Sequence, residues 1–512
     1  MQVNASDKIE NRGVSDRCWL LGALVIWAFV AIAVLWAGER PTDSQYFNYI
    51  GRCLNANRRL YVDVWDCKGP ILYWVSALGV WLNPQWGFRV LFAAFWLADL
   101  LLFWSLTRRL GKNAGLATFL FVLSALGCGQ DSFLVIGRQE SLGVFAALSA
   151  LHLDCRSRGR RLFDFAIGIC GGVAFMIKPT FAAFGAFLLV RWLMDAVENR
   201  NWKAFGSRVG CAVVGGVSVL AVVTVAYLPD RVHELWRGAL LWNLCERIGN
   251  SPWRHWLVRL FTDRKFLCRF GWTFLLWGSL SMIGLCANLR NRKVAWPWFA
   301  WLAAEAVLMF KIPDFLAHYV VVAVVPTICL LVLALPLNVL RGLVLCATFV
   351  IMWKALGTIP AHLLEANARR IELDRIGKLG CGQIDHVAVY GGNGVFSCLN
   401  QLRVFSDQRY PFLTCWVVRC DKTGTEEMKA DFQQALEDPR CEFSFASAIF
   451  RSNPLNGRCR SPDLTVFLRS MMPKNYMFES IARSRKRGDR DFLRGHMAAC
   501  SGIAALTAEP NE

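Results

Sequence analysis

Acidic residues are scarce in this sequence, and the motifs of several common protein classes are missing from it. Asp and Glu number 38 among 512 residues, against 57 Lys and Arg, which gives a formal net charge of +19. The 19 cysteines include no Cys-x-x-Cys pair and no Cys/His ligand spacing, so neither a zinc site nor a redox motif is supported. No nucleic-acid-binding module is recognisable, which disfavours a nucleic-acid partner. The positive charge is instead typical of cytoplasmic loops that set membrane topology and contact anionic lipid.

Long hydrophobic blocks are what the sequence has in abundance. Hydrophobic residues make up 55% of the chain. They are grouped in stretches near the roughly 20 residues that a membrane-spanning helix needs. The first block, 18–37, lacks a clear small-residue cleavage site, so we interpret it as a permanent span and not as a signal peptide. The sequence predicts a polytopic α-helical membrane protein with about 11 transmembrane helices.

The predicted spans alternate in direction from a cytoplasmic N-terminus. They cover 18–37, 88–106, 114–126, 142–153, 163–177, 179–191, 209–227, 266–287, 294–310, 318–335 and 340–359. A further apolar segment, 71–82, is about 18 Å long as a helix, too short for a hydrocarbon core of roughly 30 Å. We therefore place it in the outer interface. This choice puts the short Lys- and Arg-rich loops inside, as membrane topology favours.

This topology divides the chain into three regions. They are a cytoplasmic N-terminus (1–17), a transmembrane domain (18–360) whose first outer loop is 38–87, and a soluble extracytoplasmic C-terminal domain (361–512). In the tail, strands are predicted at 386–390 and 442–445 and a helix at 426–436, which indicates a small α/β domain. Seven cysteines follow residue 380. Disulfides between them are compatible with an extracytoplasmic location.

Conspicuous ionisable residues gather at the predicted outer ends of the spans. They are Asp43, Asp63, Asp66, Lys68, Asp131, Glu140, Lys178 and His318. Such groups are costly at a membrane unless partnered, and they are functional candidates by default. Carboxylates beside lysines suit the transfer of a sugar from a polyprenyl phosphate. A carboxylate takes the proton of the acceptor hydroxyl, and cations hold the departing phosphate.

Five segments in order along the chain carry a family resemblance. They are TDSQYFNYIGR (42–52), LYVDVWDCKGPILYW (60–74), GRQE (137–140), GGVAFMIKP (171–179) and DFLAHYVVVAVVP (314–326). Together they resemble the GT-C superfamily of polyprenyl-phosphate-dependent glycosyltransferases. The likeness is strongest to family 39-type enzymes, the group of protein O-mannosyltransferases and lipid A aminoarabinose transferases. It covers roughly 18–360, with a looser match in the tail.

The resemblance implies roles for several residues. Asp43 matches the first-loop aspartate that acts as catalytic base, and Lys68 matches the lysine that contacts lipid phosphate. Glu140 or Asp131 matches the second acidic position, and a divalent metal held by Asp43 with one of them is left open. Many relatives have Asp-Glu where this chain has Asp43-Ser44, which weakens assignment to the protein O-mannosyltransferase branch.

The remaining substrate-binding candidates come from the same outer segments. They are Tyr46, Arg138, Lys178 and His318. Structural alternatives stay open for several residues. Asp43 is also a good helix cap, and Lys68 could extend to the interface without binding substrate. Asp63 and Asp66 could solvate the loop or pair with neighbouring arginines.

Two functions of different classes compete at this stage. The first is a glycosyltransferase of the plasma membrane, with its active site outside, a polyprenyl-phosphate-linked sugar as donor, and a lipid, glycan or protein as acceptor. The second is a multi-span transporter or lipid flippase. A transporter would more typically place charges or helix breaks at span centres and show an internal repeat. The outer clustering of charges favours the transferase.

Overall fold

The computed structural model describes the helical part of the chain and short pieces of the tail. The described residues are 5–37, 43–110, 113–127, 139–157, 160–228, 231–239, 272–288, 292–310, 320–349, 387–390, 430, 434, 443–446, 478–480 and 493–495. Up to residue 349 they form helices joined by turns. Buried Phe, Trp, Leu and Val side chains fill the spaces between these helices.

The helices follow one another as α1 (Ala5–Ala37), α2 (Asp43–Asn55), α3 (Pro70–Leu82), α4 (Gly87–Arg109), α5 (Ala114–Gly127), α6 (Gln139–Ser157) and α7 (Arg161–Ile177). A 3-10 helix (Pro179–Ala183) then runs into α8 (Phe184–Asn199). After it come α9 (Trp202–Val225), α10 (Val232–Trp236), α11 (Trp272–Ala287), α12 (Arg292–Phe310), α13 (Val320–Ala334) and α14 (Leu337–Phe349).

Each predicted span overlaps a helical segment of the described chain, although parts of the predicted spans 266–287, 318–335 and 340–359 lie outside the described residues. Among the described residues, four helical segments are long and apolar enough to cross a membrane by length and composition: Asp16–Leu35, Gly87–Arg109, Pro179–Asn199 and Trp202–Val225. Shorter apolar helices include Ala114–Leu126 and Val322–Ala334. These helices are those of an integral membrane protein. The count of eleven spans stays a prediction.

The helices extend beyond the apolar blocks from which they were predicted. The seventh span was predicted from residue 209, but α9 begins at Trp202. The side chain of Asn201 accepts a hydrogen bond from the Ala204 backbone N–H at 3.0 Å, which caps the helix. Hydropathy located the apolar middle of this helix, whereas its start is set by the cap.

One face of α1 is apolar and open to the surroundings. Leu21, Val25, Phe29 and Ile32 are each more than half exposed. Their spacing of three or four residues places them along a single stripe of the helix. A stripe of large exposed apolar side chains on a span-length helix is suited to contact with lipid tails.

Contacts between helix ends gather the predicted inner loops at one end of the bundle. Asp16 Oδ1, in α1, accepts a hydrogen bond from the Gly115 backbone N–H of α5 at 2.6 Å. At the same end, Asp154 of α6 forms ion pairs with Arg191 of α8 at 2.8 Å and with Arg208 of α9 at 2.6 Å. These helices therefore run in the alternating directions that the sequence predicted.

The tail contains two strand pairs in its described part. Strand β1 (Val387–Tyr390) pairs in parallel with β2 (Phe443–Ala446). Strand β3 (Phe478–Ser480) pairs antiparallel with β4 (Leu493–Gly495). The two strands predicted near 386–390 and 442–445 are thereby confirmed. The predicted helix at 426–436, apart from residues 430 and 434, and the tail cysteines lie outside the described residues. The division of the chain at residue 360 stays a prediction.

Candidate active site

Helix α2 brings Asp43 and the Lys68 loop to one face. Asp43 is the first residue of α2, is partly buried, and lies in the first turn, where a carboxylate is favoured by the helix dipole. Phe47 follows one turn later on the same side of the helix. The Lys68 Nζ atom lies over the Phe47 ring, 4.8 Å from its centroid. Lys68 therefore packs on α2 about one turn after Asp43.

Asp66 is a buried carboxylate that holds the Lys68 side chain in place. Its Oδ1 atom accepts a hydrogen bond from the Cys67 backbone N–H at 2.6 Å. Its Oδ2 atom accepts hydrogen bonds from the Tyr73 hydroxyl and, at 3.2 Å, from the Lys68 ammonium. Burial, together with the charge of Asp66, raises the pKa of Tyr73, so its hydroxyl keeps the proton that it donates. The side chain of Lys68 is 15% exposed, so its charge is held close to the protein.

Asp63 and Asp66 take different roles although they are three residues apart. Asp63 forms a 2.9 Å ion pair with Arg59, one of the alternatives that the sequence left open. The hydrogen bonds from Arg59 lower the pKa of Asp63. Asp66 instead faces the interior, where it orients Lys68. In the sequence, the burial of Asp66 was indicated by its position between Trp65 and Cys67, two residue types that are often buried.

Buried tyrosines fix the backbone around the lysine. The Tyr61 hydroxyl donates a hydrogen bond to the Lys68 carbonyl at 2.5 Å. The Tyr46 hydroxyl donates to the Trp65 carbonyl, also at 2.5 Å. Tyr46 was predicted to bind substrate; in the structure it is 1% exposed and supports the loop.

The Lys68 loop docks on the end of α7, beside a second lysine. The Gly69 backbone N–H donates a hydrogen bond to the Ile177 carbonyl at 3.4 Å. A Cβ atom at position 69 would lie 1.6 Å from the Met176 carbonyl oxygen, so only glycine permits this approach. Lys68 is the residue before Gly69, and Lys178 is the residue after Ile177, so each lysine adjoins this hydrogen bond. The fold therefore places both predicted lysines around a single junction.

The start of α6 adds a buried acidic group on the same side. Glu140 and Gln139 are each 2% exposed, and the Gln139 amide donates to Glu140 Oε1 at 3.3 Å. Gly143, nearly one turn later, packs directly against the Phe181 ring. Lys178 Nζ lies 5.4 Å from the centroid of that ring. Helix α6, through Gly143, and Lys178 thus contact the same aromatic side chain.

Aromatic residues cover the loop from the end of α9. Tyr227 lies 5.8 Å from Tyr61 and stacks on Trp74 at 6.3 Å between ring centroids. Gly238, just beyond α10, packs so closely that a Cβ atom there would be 2.8 Å from the Tyr61 ring and 3.3 Å from the Asp66 carbonyl. The charged loop is consequently enclosed by aromatic and backbone groups.

Three predicted site residues lie outside the described residues: Asp131, Arg138 and His318. The predicted metal option concerned Asp43 and Glu140. Among the described residues, no group of three or more His, Cys, Asp or Glu side chains is close enough to hold a metal ion. Among the described acids of this loop, Asp66 pairs with a lysine, Lys68.

Comparison with known proteins yields a likeness in structure. The sequence matches no model of a known protein family, and no curated protein matches it. Among solved structures, ArnT from Cupriavidus metallidurans bound to undecaprenyl phosphate superposes with a TM-score of 0.53 at 15% identity, over 93% of this chain and 97% of that chain. The oligosaccharyltransferase AglB from Archaeoglobus fulgidus gives 0.44 at 13% identity, over 85% and 70%. The helical chain has the GT-C fold that its motifs predicted.

Proposed function

We propose that the protein is a membrane glycosyltransferase that moves a sugar from a polyprenyl-phosphate donor to an extracytoplasmic acceptor. The observation that carries this proposal is the convergence of Lys68 and Lys178 at the Gly69–Ile177 hydrogen bond, on the side of the bundle where α2 presents Asp43. The fold likeness to ArnT, whose structure contains undecaprenyl phosphate, supports a lipid phosphate as the ligand.

The two lysines would hold the phosphate of the donor. Ammonium groups form strong, charge-assisted hydrogen bonds to phosphate oxygens, and these bonds strengthen where water is excluded. Both side chains are largely buried, which limits competition from water. As the bond from the anomeric carbon to the phosphate oxygen breaks, the lipid phosphate leaves with the electron pair. The lysines stabilise the negative charge that develops on it.

Asp43 would act as the general base. The acceptor hydroxyl oxygen forms the new bond to the anomeric carbon, and its proton passes to the Asp43 carboxylate. Asp43 is only partly buried, so an acceptor can approach it, whereas Asp66 and Glu140 are enclosed. The acceptor is a lipid, a glycan or a protein at the outer face of the plasma membrane.

The first prediction tests this base. Asp43→Asn keeps the size of the side chain but removes its ability to take a proton. We expect transfer from a polyprenyl-phosphate-linked sugar to fall at least ~100-fold, the usual contribution of a general base. Binding of polyprenyl phosphate should stay near the wild-type level, because the lysines remain. The measurement is single-turnover transfer in nanodiscs with a radiolabelled donor.

Asp63→Asn is the matched control, since Asp63 lies in the same loop but pairs with Arg59. It should retain near wild-type transfer. Near-normal transfer by the Asp43→Asn protein would refute the assignment of the base. A wild-type protein that fails to bind polyprenyl phosphate would refute the proposed function.

A second candidate function, a lipid flippase or transporter, is favoured by one residue. Asp99 lies near the middle of α4 and is 1% exposed, and neither carboxyl oxygen has a hydrogen-bond partner among the described residues. Ionisable groups at span centres are typical of transport pathways. A flippase would move a labelled polyprenyl-phosphate sugar across liposome membranes without acceptor, and Asp99→Asn would stop this movement. A transferase would consume the donor only when acceptor is present, and Asp99→Asn would leave transfer intact.

A further inference from the structure

Helix α3 has one face packed against protein and one face of large, exposed apolar side chains. On the packed face, Gly51 of α2 lies against the Ser76 backbone, and Gly87 of α4 lies against the Gly79 carbonyl. The other face consists of Trp74, Leu78, Trp81 and Leu82, all of them exposed. Their spacing of three or four residues places them along one side of the helix. We call this face the α3 stripe.

The α3 stripe begins where the Lys68 loop ends. Pro70, the first residue of α3, comes two residues after Lys68. Trp74 follows about one helical turn later, roughly 6 Å along the helix axis. The ring of Tyr227 links the two regions: it stacks on Trp74 at 6.3 Å and lies 5.8 Å from the ring of Tyr61. The Tyr61 hydroxyl in turn donates to the Lys68 carbonyl. The stripe is therefore continuous with the loop that carries Lys68.

We propose that the α3 stripe binds the polyprenyl chain of the donor, next to its phosphate. This inference rests on the proposed function, in which Lys68 holds that phosphate. From Trp74 to Leu82 the stripe is about 12 Å long. It therefore accommodates the isoprene units nearest to the phosphate, and the rest of the chain stays among the lipids. A short helix with an apolar face lies in the membrane interface with that face towards the acyl chains, where a polyprenyl chain is found.

Packing, and not the hydrophobic effect, provides the selectivity of such a site. Lipid tails are as apolar as a polyprenyl chain, so burial alone gives no preference inside the bilayer. Indole rings offer large, flat and rigid surfaces, on which the methyl branches and double bonds of isoprene units form many dispersion contacts. The α3 stripe contains two tryptophans, whereas the exposed stripe of α1 consists of Leu21, Val25, Phe29 and Ile32. The α1 stripe therefore serves as the reference for contact with bulk lipid.

Photocrosslinking tests where the chain lies. Wild-type protein in nanodiscs is irradiated with undecaprenyl phosphate that carries a diazirine in the isoprene unit next to the phosphate. We expect label in the peptide that contains Trp74–Leu82, and an excess of unlabelled undecaprenyl phosphate should suppress it. Phosphatidylglycerol with a diazirine in its acyl chain should label the α1 and α3 stripes alike. Polyprenyl label confined to other helices, or α3 label that the unlabelled compound does not suppress, would overturn the inference.

Substitutions in the stripe test its contribution to affinity. Trp81 is 71% exposed, so Trp81→Leu combined with Leu78→Ala removes contact surface with little loss of protein packing. We expect the Kd for undecaprenyl phosphate to rise about tenfold, a magnitude consistent with the loss of an aromatic contact. The Kd for dimethylallyl phosphate, which has a single isoprene unit, should stay at the wild-type value. Trp202→Leu, at an exposed tryptophan of α9, is the matched control and should bind both compounds as wild type.

The outcomes separate this inference from the proposed function. An equal loss of affinity for both compounds would mean that the substitutions disturb the phosphate site, and unchanged affinity for undecaprenyl phosphate would mean that the stripe contacts bulk lipid only. Either result overturns the inference and leaves the proposed function standing. A wild-type protein that binds neither compound would instead refute the proposed function.

Discussion

At the scale of single residues, the chemistry of Lys68 depends on Asp66 more than on the rest of its loop. Asp66 is 4% exposed and accepts hydrogen bonds from a backbone amide, a tyrosine hydroxyl and the lysine. These hydrogen bonds fix the position of the Asp66 carboxylate. It also restricts the Lys68 side chain, which would otherwise lose conformational entropy on binding a ligand.

Removal of the Asp66 charge should therefore weaken donor binding. In Asp66→Asn, one side-chain oxygen still accepts hydrogen bonds. The NH2 group that replaces the other oxygen cannot accept, so either the Cys67 N–H or the Tyr73 and Lys68 donors lose their acceptor. We expect the KM for the donor to rise about tenfold and the free energy of unfolding to fall by about 1–3 kcal/mol, the effect of leaving a buried polar group unsatisfied. Transfer kinetics and chemical denaturation measure the two effects. Unchanged donor affinity would show that Lys68 does not need this partner.

The sequence was informative about which residues matter and less informative about how they are held. Asp43, Lys68 and Lys178 were selected because an ionisable side chain at the end of a membrane span is costly unless it has a partner or a function. Their convergence was not predictable, because it depends on the contact of Gly69 with Ile177, far apart along the chain. The role of Asp66 was missed for the same reason: a buried carboxylate is recognised only when its neighbours are known.

At the scale of helices, a buried ion cluster joins four elements at the end opposite the candidate active site. Asp154 of α6 receives hydrogen bonds from Arg208 of α9 and, at 2.8 Å, from the Trp192 indole of α8. Arg208 also pairs with Asp164 of α7 at 3.2 Å. The side chain of Asp154 is 1% exposed. This cluster orders the helices whose opposite ends carry Glu140 and Lys178.

Asp154→Asn should therefore destabilise the helical bundle. The substitution leaves two guanidinium groups without their shared carboxylate, which costs about 3 kcal/mol where the pair is buried. Arg191 is more exposed than Arg208, so most of the loss should come from Arg208. Denaturant-induced unfolding in detergent, followed by tryptophan fluorescence, measures the change. Asp195→Asn, on the exposed side of α8, is the control and should have little effect. Equal stability of the two variants would contradict the role of the cluster.

Hydropathy located the spans well and their ends poorly. The apolar middle of a helix is evident because about 20 residues must be hydrophobic to cross a bilayer. The ends depend on caps and ion pairs, such as Asn201 at the start of α9, and these appear as ordinary polar residues in the sequence. The short apolar segment at 71–82 was correctly expected to be a helix, α3, of 13 residues.

At the scale of the whole molecule, α3 decides on which side of the membrane the candidate active site lies. A helix of 13 residues is about 20 Å long and falls short of a hydrocarbon core of roughly 30 Å. It packs on α2, where the Asn55 side chain donates to the Ala77 carbonyl at 2.9 Å, so both helices belong to one unit. If α3 does not cross, α4 delivers Arg108 and Arg109 to the inside, as positive charge favours.

Alkaline phosphatase fusions in a bacterial host test this topology, because the enzyme is active only outside the plasma membrane. Fusions after Asn57, before α3, and after Gln85, beyond it, should both be active if α3 lies in the outer interface. A fusion after Leu110, beyond α4, should be inactive. If α3 crosses, activity after Gln85 is lost and activity after Leu110 appears. The basic cluster around Asp154 would then lie outside, and the membrane would separate Lys178 from Lys68, which contradicts the Gly69–Ile177 hydrogen bond.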